Sequence, residues 1–377
     1  MFMFALRQLQ LDKVRTLLTG IALGSVIAVI LVLKGFEQGQ YFQLRQLVLN
    51  RHADLVVAQS GVNNFIAVRS SIPQLARAKV EAVEGVVEAH PLTAIPIIYN
   101  KDNMLTPVYV LVYDDKGGPS SIVEGRNLKA GAREIVIDQS LAQKYRIKPG
   151  DKFLVTDFEF TVVGITNEAA FMMPFAFINY DSMVDLFIES EIAPDLSTFP
   201  LLSYMLIELQ PGADREKVAR HIEQAVPSVD VITAEQLANN DVDLGKVFFK
   251  PIMGLLVSIG YIIGMLVVGL IMYADIRHHL KSFAILKALG FSSNKLFVAV
   301  LFQSILLLVI AIPLGSLMAY LLGNFIHSAA PVYLIYVFEP DSYAHTVIAS
   351  FIIASLGAII PLRLIQRSDP MLAFQGV

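Results

Sequence analysis

Few residues in this sequence have the types and spacing that chemistry requires. The Gly-Lys pair at Gly245-Lys246 lacks the upstream glycine and the following hydroxyl residue of a nucleotide-binding loop. Neither a G-x-S-x-G elbow nor an H-E-x-x-H zinc motif occurs. The histidines are scattered, and the adjacent pair His278-His279 would point about 100° apart on a helix, which suits chelation poorly. Because cysteine is absent, thiolate metal sites and cysteine nucleophiles are excluded. The sequence predicts no catalytic residue, no bound cofactor and no metal site.

One short segment does have a distinctive pattern. The stretch KSFAILKALGF, residues 281–291, is basic, favours a helix and reaches a glycine at Gly290. It lies between two long apolar segments, so it forms a compact cationic helix on a turn between them.

The composition indicates a membrane protein. Of the 377 residues 55% are hydrophobic and 16% are charged, and the mean hydropathy is +0.60. The formal net charge of −4 gives no basic face for a nucleic-acid partner. We therefore expect an α-helical membrane protein that does not bind nucleic acid.

Four segments are long and apolar enough to span a bilayer. The first is too long for a signal-peptide core and no small-residue cleavage site follows it cleanly, so we interpret it as a retained span. Pro313 predicts a kink in the third. The predicted spans are 16–38, 251–274, 296–322 and 344–364.

The distribution of Lys and Arg predicts the orientation. Basic residues cluster in the amphipathic N-terminal segment 1–15, in the loop 275–295 and near the C-terminal tail 365–377. The loop 323–343 carries Glu339 and Asp341 but neither Lys nor Arg. We expect both termini to be cytoplasmic and the segment 39–250 to lie outside, on a multi-pass protein of the bacterial inner (plasma) membrane.

The outside segment is predicted to be an α+β domain of two lobes. A helix-to-strand pattern in LARAKVEAVEGVV returns weakly in VARHIEQAVPSVD, which favours two related halves in one lobe. The predicted lobes are a first from 39–116 and 201–235, and a strand-rich insertion at 117–200, followed by a stalk at 236–250.

The middles of the predicted spans contain no Asp, Glu, Lys or Arg. Ion-coupled carriers and proton relays usually need such groups, so a secondary transporter is not expected. Small residues recur at four-residue spacing and predict helix packing, either within the chain or between chains. These residues are Gly20, Gly24, Gly260 and Gly264.

The stretch FMMPFAF is a run of large apolar residues around a proline. It fits a buried strand pair, and it also fits an exposed contact for a lipid or protein partner. Its candidate contact residues are Phe171, Met172, Met173 and Phe175.

Several motifs in order resemble the MacB/FtsX/LolC-type permeases of ABC transporters, the mechanotransmission or type VII class. These are RTLLTGIALGSVIAVIL, REIVIDQSLAQKYRIKPGDKFLV with FTVVGI, KSFAILKALGF and RLIQRSDPMLAF. Many members have Glu-Ile-Gly where this chain has Ser282-Phe283-Ala284, so the ion pair of that glutamate is not expected here. The form FAILKALGF is similar to the DevC-like branch, which has no fused ATPase.

The resemblance implies a MacB periplasmic core-like outside domain and a permease without enzymatic activity of its own. ATP and Mg would be bound by a separate ABC ATPase subunit, and this chain would dock on that subunit through its basic loop helix. The implied coupling residues are Arg277, Lys281, Phe283, Ile285, Leu286, Lys287, Leu289 and Gly290.

The resemblance also implies further partners and a cargo. A second permease copy, a periplasmic membrane-fusion adaptor, an outer-membrane channel and membrane lipids would take part. The cargo would be a lipid, lipopeptide or hydrophobic compound taken from the periplasm or outer leaflet. Two alternatives remain, an FtsX-like activator of a cell-wall hydrolase and a LolC-like permease that releases lipoproteins.

Overall fold

The computed structural model describes residues 13–189 and 202–359, which form two compact units. The membrane unit contains residues 13–39, 249–329 and 334–359. The α/β unit contains residues 40–189, 202–248 and 330–333. Two long helices, α1 (Lys13–Leu49) and α6 (Ala234–His278), each contribute residues to both units.

The α/β unit contains eleven strands and four short helices among the described residues. The strands are β1 (Leu55–Gln59), β2 (Val86–Lys101), β3 (Met104–Tyr113), β4 (Glu124–Gly125), β5 (Glu134–Asp138), β6 (Lys152–Val155), β7 (Phe158–Thr166), β8 (Ala169–Ala170), β9 (Met173–Asn179), β10 (Tyr204–Leu209) and β11 (Val229–Thr233). The helices are α2 (Ala76–Glu81), α3 (Gln139–Tyr145), α4 (Tyr180–Glu189) and α5 (Arg215–Ala225).

These strands form one hydrogen-bonded sheet in the order β11-β1-β10-β2-β3-β9-β5-β7-β4, with β6 paired to β7 and β8 to β9. Most pairs are antiparallel, but β5 and β7 are parallel, and so are β3 and β9, with Tyr109 opposite Phe175 and Tyr113 opposite Asn179. The segment predicted as a separate strand-rich lobe is therefore joined to the remaining strands through the β3–β9 ladder, and the unit does not divide into two sheets.

Apolar residues on the two faces of the sheet form separate cores. On one face α2 and α5 cover β1, β2, β10 and β11, where Val57, Val80 and Ile222 are fully buried. On the other face Leu44 and Leu237, from the two long helices, pack with Leu92 and Phe177 of the sheet. A third core joins α3 and α4 to the strands of the inserted segment. Strands that are apolar on both sides are expected where helices cover both faces.

The membrane unit is helical. Besides parts of α1 and α6 it contains α7 (Leu280–Ala288), α8 (Ser293–Ala329) and α9 (Pro340–Gly357). Three described helices, α1, α6 and α8, are long and apolar enough to cross a membrane. The fourth predicted span, 344–364, extends past residue 359, so part of it lies outside the described residues. The structure thus supports three of the four predicted spans.

Glycines allow the spans to pack closely within the chain. A Cβ on Gly24 would lie 3.2 Å from the backbone oxygen of Ala311 and from the nitrogen of Gly315. On α6, a Cβ on Gly264 would lie 3.2 Å from Val26. The predicted small-residue stripes therefore join α1 to α8 and α6 to α1 in the described structure.

Some predicted segments lie outside the residues that the structure describes. Most of the amphipathic segment 1–15 and all of the tail 365–377 lie outside the described residues.

Helix α4 was not predicted. It follows directly on β9, and Asn179 accepts a hydrogen bond from the Ser182 nitrogen at 2.7 Å, which stabilises the first turn of that helix.

Candidate coupling sites

Helix α7 has a well-formed C-terminus that fixes its end. The nitrogen of Phe291 donates to the Leu286 carbonyl at 3.1 Å, and the Gly290 nitrogen donates to Lys287 at 2.9 Å. Gly290 has a φ of +90°. This pair of bonds is a Schellman motif, which places glycine in the left-handed conformation that other residues adopt at a cost.

The two faces of α7 have different surroundings. Phe283 and Ala284 are buried in the core of the membrane unit, whereas Ile285 is 45% exposed and Leu289 is 72% exposed. Leu286 is half-buried and packs against that core. The prediction grouped Ile285, Leu286 and Leu289 as one contact surface. The structure separates Leu286 from the other two, since residues four apart share a helix face and adjacent residues do not.

The basic residues of this loop are partly available to a partner. Arg277, at the end of α6, and Lys281, in α7, are both exposed. Lys287 is half-buried. The exposed surface of the loop therefore combines two aliphatic side chains, Ile285 and Leu289, with cationic groups, a combination suited to an acidic-rimmed apolar groove.

A buried carboxylate joins three helices beside this loop. Asp275 is 7% exposed; one of its oxygens lies 2.9 Å from the guanidinium of Arg15 and the other accepts from the Gln303 amide at 2.8 Å. These residues belong to α6, α1 and α8. His279, one helical turn further along the chain, also contacts this residue. Its Nδ1 lies 3.0 Å from the backbone carbonyl oxygen of Asp275. Sequence reasoning missed this cluster, although a lone acid next to an apolar run is an available signal.

A second buried charge pair lies in the α/β unit, just after α1. Arg51 is 1% exposed and its guanidinium donates to the Gly117 and Gly118 carbonyls at 2.6 and 2.7 Å. It also pairs with the carboxylate of Glu168, which in turn accepts from the Ser120 nitrogen. Burial lowers the pKa of Arg51, and the Glu168 carboxylate opposes that change. We call this group the Arg51 junction.

Glycine is required on the loop that meets Arg51. Gly117 has a φ of +97°, and a Cβ on Gly118 would lie 2.5 Å from ring atoms of Tyr113. Only glycines therefore let this loop fold back over Tyr113 and direct two carbonyls at the guanidinium. Arg51 thus holds the end of α1, the loop after β3 and the segment between β7 and β8 together.

The apolar run 171–177 forms a β-hairpin. Phe171 and Met172 both have positive φ, 53° and 63°, and form the turn between β8 and β9. Phe175 is buried in the sheet core, Met173 is half-buried and Met172 is 41% exposed. Phe171 makes an edge-on contact with Phe248 at 6.2 Å. Of the four predicted contact residues, Met172 is the one that is exposed.

Two family models match this chain and together cover most of it. The model of the MacB-like periplasmic core domain matches residues 16–225, more than half of the chain. The model of the FtsX-like permease C-terminal domain matches residues 254–370. The chain therefore belongs to the MacB/FtsX family of ABC transporter permeases.

Relatives along the whole chain agree with this assignment. An uncharacterized ABC transporter permease of Mycobacterium tuberculosis (strain ATCC 25618 / H37Rv) is 23% identical over 380 residues, covering 100% of both chains. One of Methanocaldococcus jannaschii is 22% identical over 400 residues, covering 99% of this chain and 97% of the other.

Two solved structures are similar to part of the chain. The extracellular domain of the noncanonic ABC-type transporter YknZ from Gram-positive bacteria is 14% identical, with a TM-score of 0.36, and covers 48% of this chain and 100% of its own. The periplasmic region of MacB from Actinobacillus actinomycetemcomitans is 9% identical, with a TM-score of 0.36, and covers 51% of this chain and 94% of its own.

Proposed function

We propose that this permease couples ATP hydrolysis on a separate ATPase subunit to movement of its α/β unit outside the membrane. ATP and Mg would be held by the ATPase, with α7 as the docking element. The observation that supports this most directly is the exposed aliphatic pair Ile285 and Leu289 on a capped basic helix. An unpartnered apolar face of this kind on a short loop helix is suited to a protein groove.

Two features of the chain suit a transmission role. Asp275, Arg15 and Gln303 connect α6, α1 and α8 beside α7, so a force applied at α7 would reach several spans. Helices α1 and α6 supply residues to both units. Movement of the α/β unit would then drive a lipid, lipopeptide or hydrophobic compound onward from the periplasm or outer leaflet. In this proposal a second permease copy completes the transporter, and a periplasmic adaptor and an outer-membrane channel receive the cargo.

The docking proposal is tested by purifying the detergent-solubilised chain with its ATPase. Ile285→Glu and Leu289→Glu each place a charge on the exposed face, and burying it in a groove costs several kcal/mol. We expect at least about a 100-fold loss of ATPase affinity for each variant. Leu286→Glu is a poor test because Leu286 packs inward, so its effect would mix docking with folding.

The matched control is Leu105→Glu, which makes the same change at a 62% exposed leucine of the α/β unit. It should retain the ATPase as the wild-type chain does. Equal retention by Ile285→Glu, Leu289→Glu and Leu105→Glu would rule out α7 as the docking element. A wild-type chain that never retains an ATPase would overturn the transporter proposal itself.

A further inference from the structure

One buried histidine in the α/β unit has no hydrogen-bond partner among the described residues. His90 is 3% exposed, and neither ring nitrogen makes a hydrogen bond. A buried polar ring without a hydrogen-bond partner destabilises the folded state. Nothing in the coupling mechanism uses this side chain, so its burial needs a separate explanation.

The ring of His90 faces carboxylates on two sides. Its Nδ1 lies 3.8 Å from Oε1 of Glu88, and its Nε2 lies 3.6 Å from Oε2 of Glu208. Both distances are longer than a hydrogen bond. Glu88 and His90 share one face of β2, since they are two residues apart on a strand, and Glu208 of β10 stands directly opposite Glu88.

A third ligand comes from the loop that follows β3. One ligand atom each from Glu88, His90 and Asp115 lie within 4.8 Å of one another. The same loop packs on this part of the sheet, because Gly117, two residues after Asp115, lies against Leu92 and Leu206. Asp115 is exposed and Glu88 is half-exposed, so both carboxylates have room to move towards the ring.

The local charge is negative. Four carboxylates, from Glu81, Glu88, Asp115 and Glu208, are accompanied by the cationic groups of Arg77 and Lys116. Lys116 pairs with Glu208, and Arg77 reaches Glu81 at 2.9 Å and Glu88 at 3.8 Å. The negative excess matches the charge of a divalent cation.

We propose that Glu88, His90 and Asp115 bind a divalent transition-metal ion, with Zn²⁺ as the best match. One imidazole nitrogen and two carboxylate oxygens are a ligand set that Zn²⁺ accepts, and a tetrahedral site leaves the fourth position to water. Glu208 at the opposite ring nitrogen would then be the carboxylate that orients a metal-bound histidine. The scattered histidines gave no such signal, because the ligands are joined by the fold and only Glu88 and His90 are close in sequence.

The ion would connect the loop to the sheet. Asp115 lies two and three residues before the glycines whose carbonyls accept from Arg51. Metal binding would therefore fix the segment that holds the end of α1. This site does not depend on the proposed ATPase docking, so either proposal can fail without the other.

The test uses the full chain, purified in detergent with a tag that contains no histidine and stripped with EDTA. We expect it to bind one equivalent of Zn²⁺ in competition with a chromophoric chelator. With Co²⁺ it should show visible d–d absorption. His90→Gln and Asp115→Asn should each weaken Zn²⁺ binding more than about 100-fold, and Glu208→Gln about 10- to 100-fold.

Two controls make the experiment decisive. Asp114→Asn removes the same charge one residue earlier, from a side chain outside the cluster, and His221→Gln removes a histidine elsewhere in the unit. Both should bind as the wild type does. Asp115 is exposed, so Asp115→Asn should fold normally even if His90→Gln does not.

The proposal is overturned if the wild type binds no Zn²⁺. It is also overturned if Asp114→Asn weakens binding as much as Asp115→Asn. Either result would mean that Glu88, His90 and Asp115 do not form this metal site.

Discussion

At the scale of single residues, Arg51 is a buried charge that connects separate parts of the α/β unit. Its guanidinium is fully buried and contacts two segments besides the end of α1, namely the carbonyls of Gly117 and Gly118 and the carboxylate of Glu168. The charge of Arg51 therefore compensates that of Glu168 in a place that water does not reach. Removing one partner of such a pair leaves an uncompensated buried charge.

We expect Arg51→Met to lower the free energy of unfolding by about 3–5 kcal/mol. The double variant Arg51→Met with Glu168→Gln should recover part of that loss, because no buried charge remains. Thermal or denaturant unfolding of the full chain in detergent measures both. Arg45→Met is the matched control in the preceding helix α1, since Arg45 pairs at the surface with Glu235 and should contribute less than about 1 kcal/mol. A loss in Arg51→Met no larger than that of Arg45→Met would contradict this role.

Asp138 gives the α/β unit a pH dependence. It is 2% exposed at the N-cap of α3, where it accepts from the Ser140 nitrogen at 2.8 Å. Burial raises the pKa of Asp138 to about 6, although the hydrogen bonds from Ser140 partly oppose this rise. The folded state then holds a proton that the unfolded state releases near pH 4. The contribution of Asp138 to stability therefore falls as pH rises from about 4 to about 6.

Asp138→Asn keeps an accepting cap oxygen and removes the charge. We expect the unfolding free energy of the wild type, measured relative to this variant, to decrease between pH 4 and pH 6 and to level off above that range. Denaturant titrations at half-unit intervals of pH would show this trend. A difference that does not change with pH would mean that Asp138 is ionised at its ordinary pKa in the folded protein.

At the scale of elements, glycine spacing sets the contact between α1 and α8. A Cβ on Gly315 would lie 2.6 Å from the backbone oxygen of Gly24, a distance that neither helix can relieve by rotating a side chain. We expect Gly315→Ala to separate the two helices and to lower the melting temperature of the detergent-solubilised chain. Gly254→Ala is the control, because a Cβ there meets no other atom within 4 Å.

Gly254→Ala should leave the melting temperature unchanged or raise it slightly, since alanine favours a helix interior. Gly315→Ala melting at the same temperature as Gly254→Ala would show that the close contact is not needed. Because small residues are common in spans, the sequence alone left open whether such stripes join helices of one chain or of two.

Elements with a local signal could be predicted from the sequence, and those set by distant pairing could not. Strands β5 to β7 have such a local signal in their alternating apolar residues, and the Pro149-Gly150 pair favours a type II turn, in which Gly150 has a positive φ of 101°. The parallel pairing of β3 with β9, which joins the inserted strands to the rest of the sheet, has no local signature and was not predicted. The apolar residues of α7 were recognised, but a pattern does not state which side of a short helix faces the core, so the half-buried Leu286 was grouped with the exposed Ile285 and Leu289.

At the scale of the whole molecule, the absence of cysteine gives a direct test of orientation. Leu105→Cys and Leu289→Cys each introduce one thiol at an exposed leucine, the first in the α/β unit and the second after α7. From the Lys and Arg distribution we expect a membrane-impermeant maleimide to label Leu105→Cys on intact spheroplasts. Leu289→Cys should be labelled only after the membrane is permeabilised. The reverse pattern would invert the proposed topology and place α7 away from any cytoplasmic ATPase.

The position of β1 in the sheet has a consequence for biogenesis. This strand leaves the ribosome first, yet its two neighbours, β10 and β11, are the last strands of the unit to be made. The sheet cannot form on both sides of β1 until Thr233, the last residue of β11, has been synthesised. The second span follows shortly after it in the chain. Long-range pairing of this kind folds slowly and leaves strand edges unprotected in the meantime. In the proposed orientation, the segment between the first two spans would therefore cross the membrane before its sheet has formed.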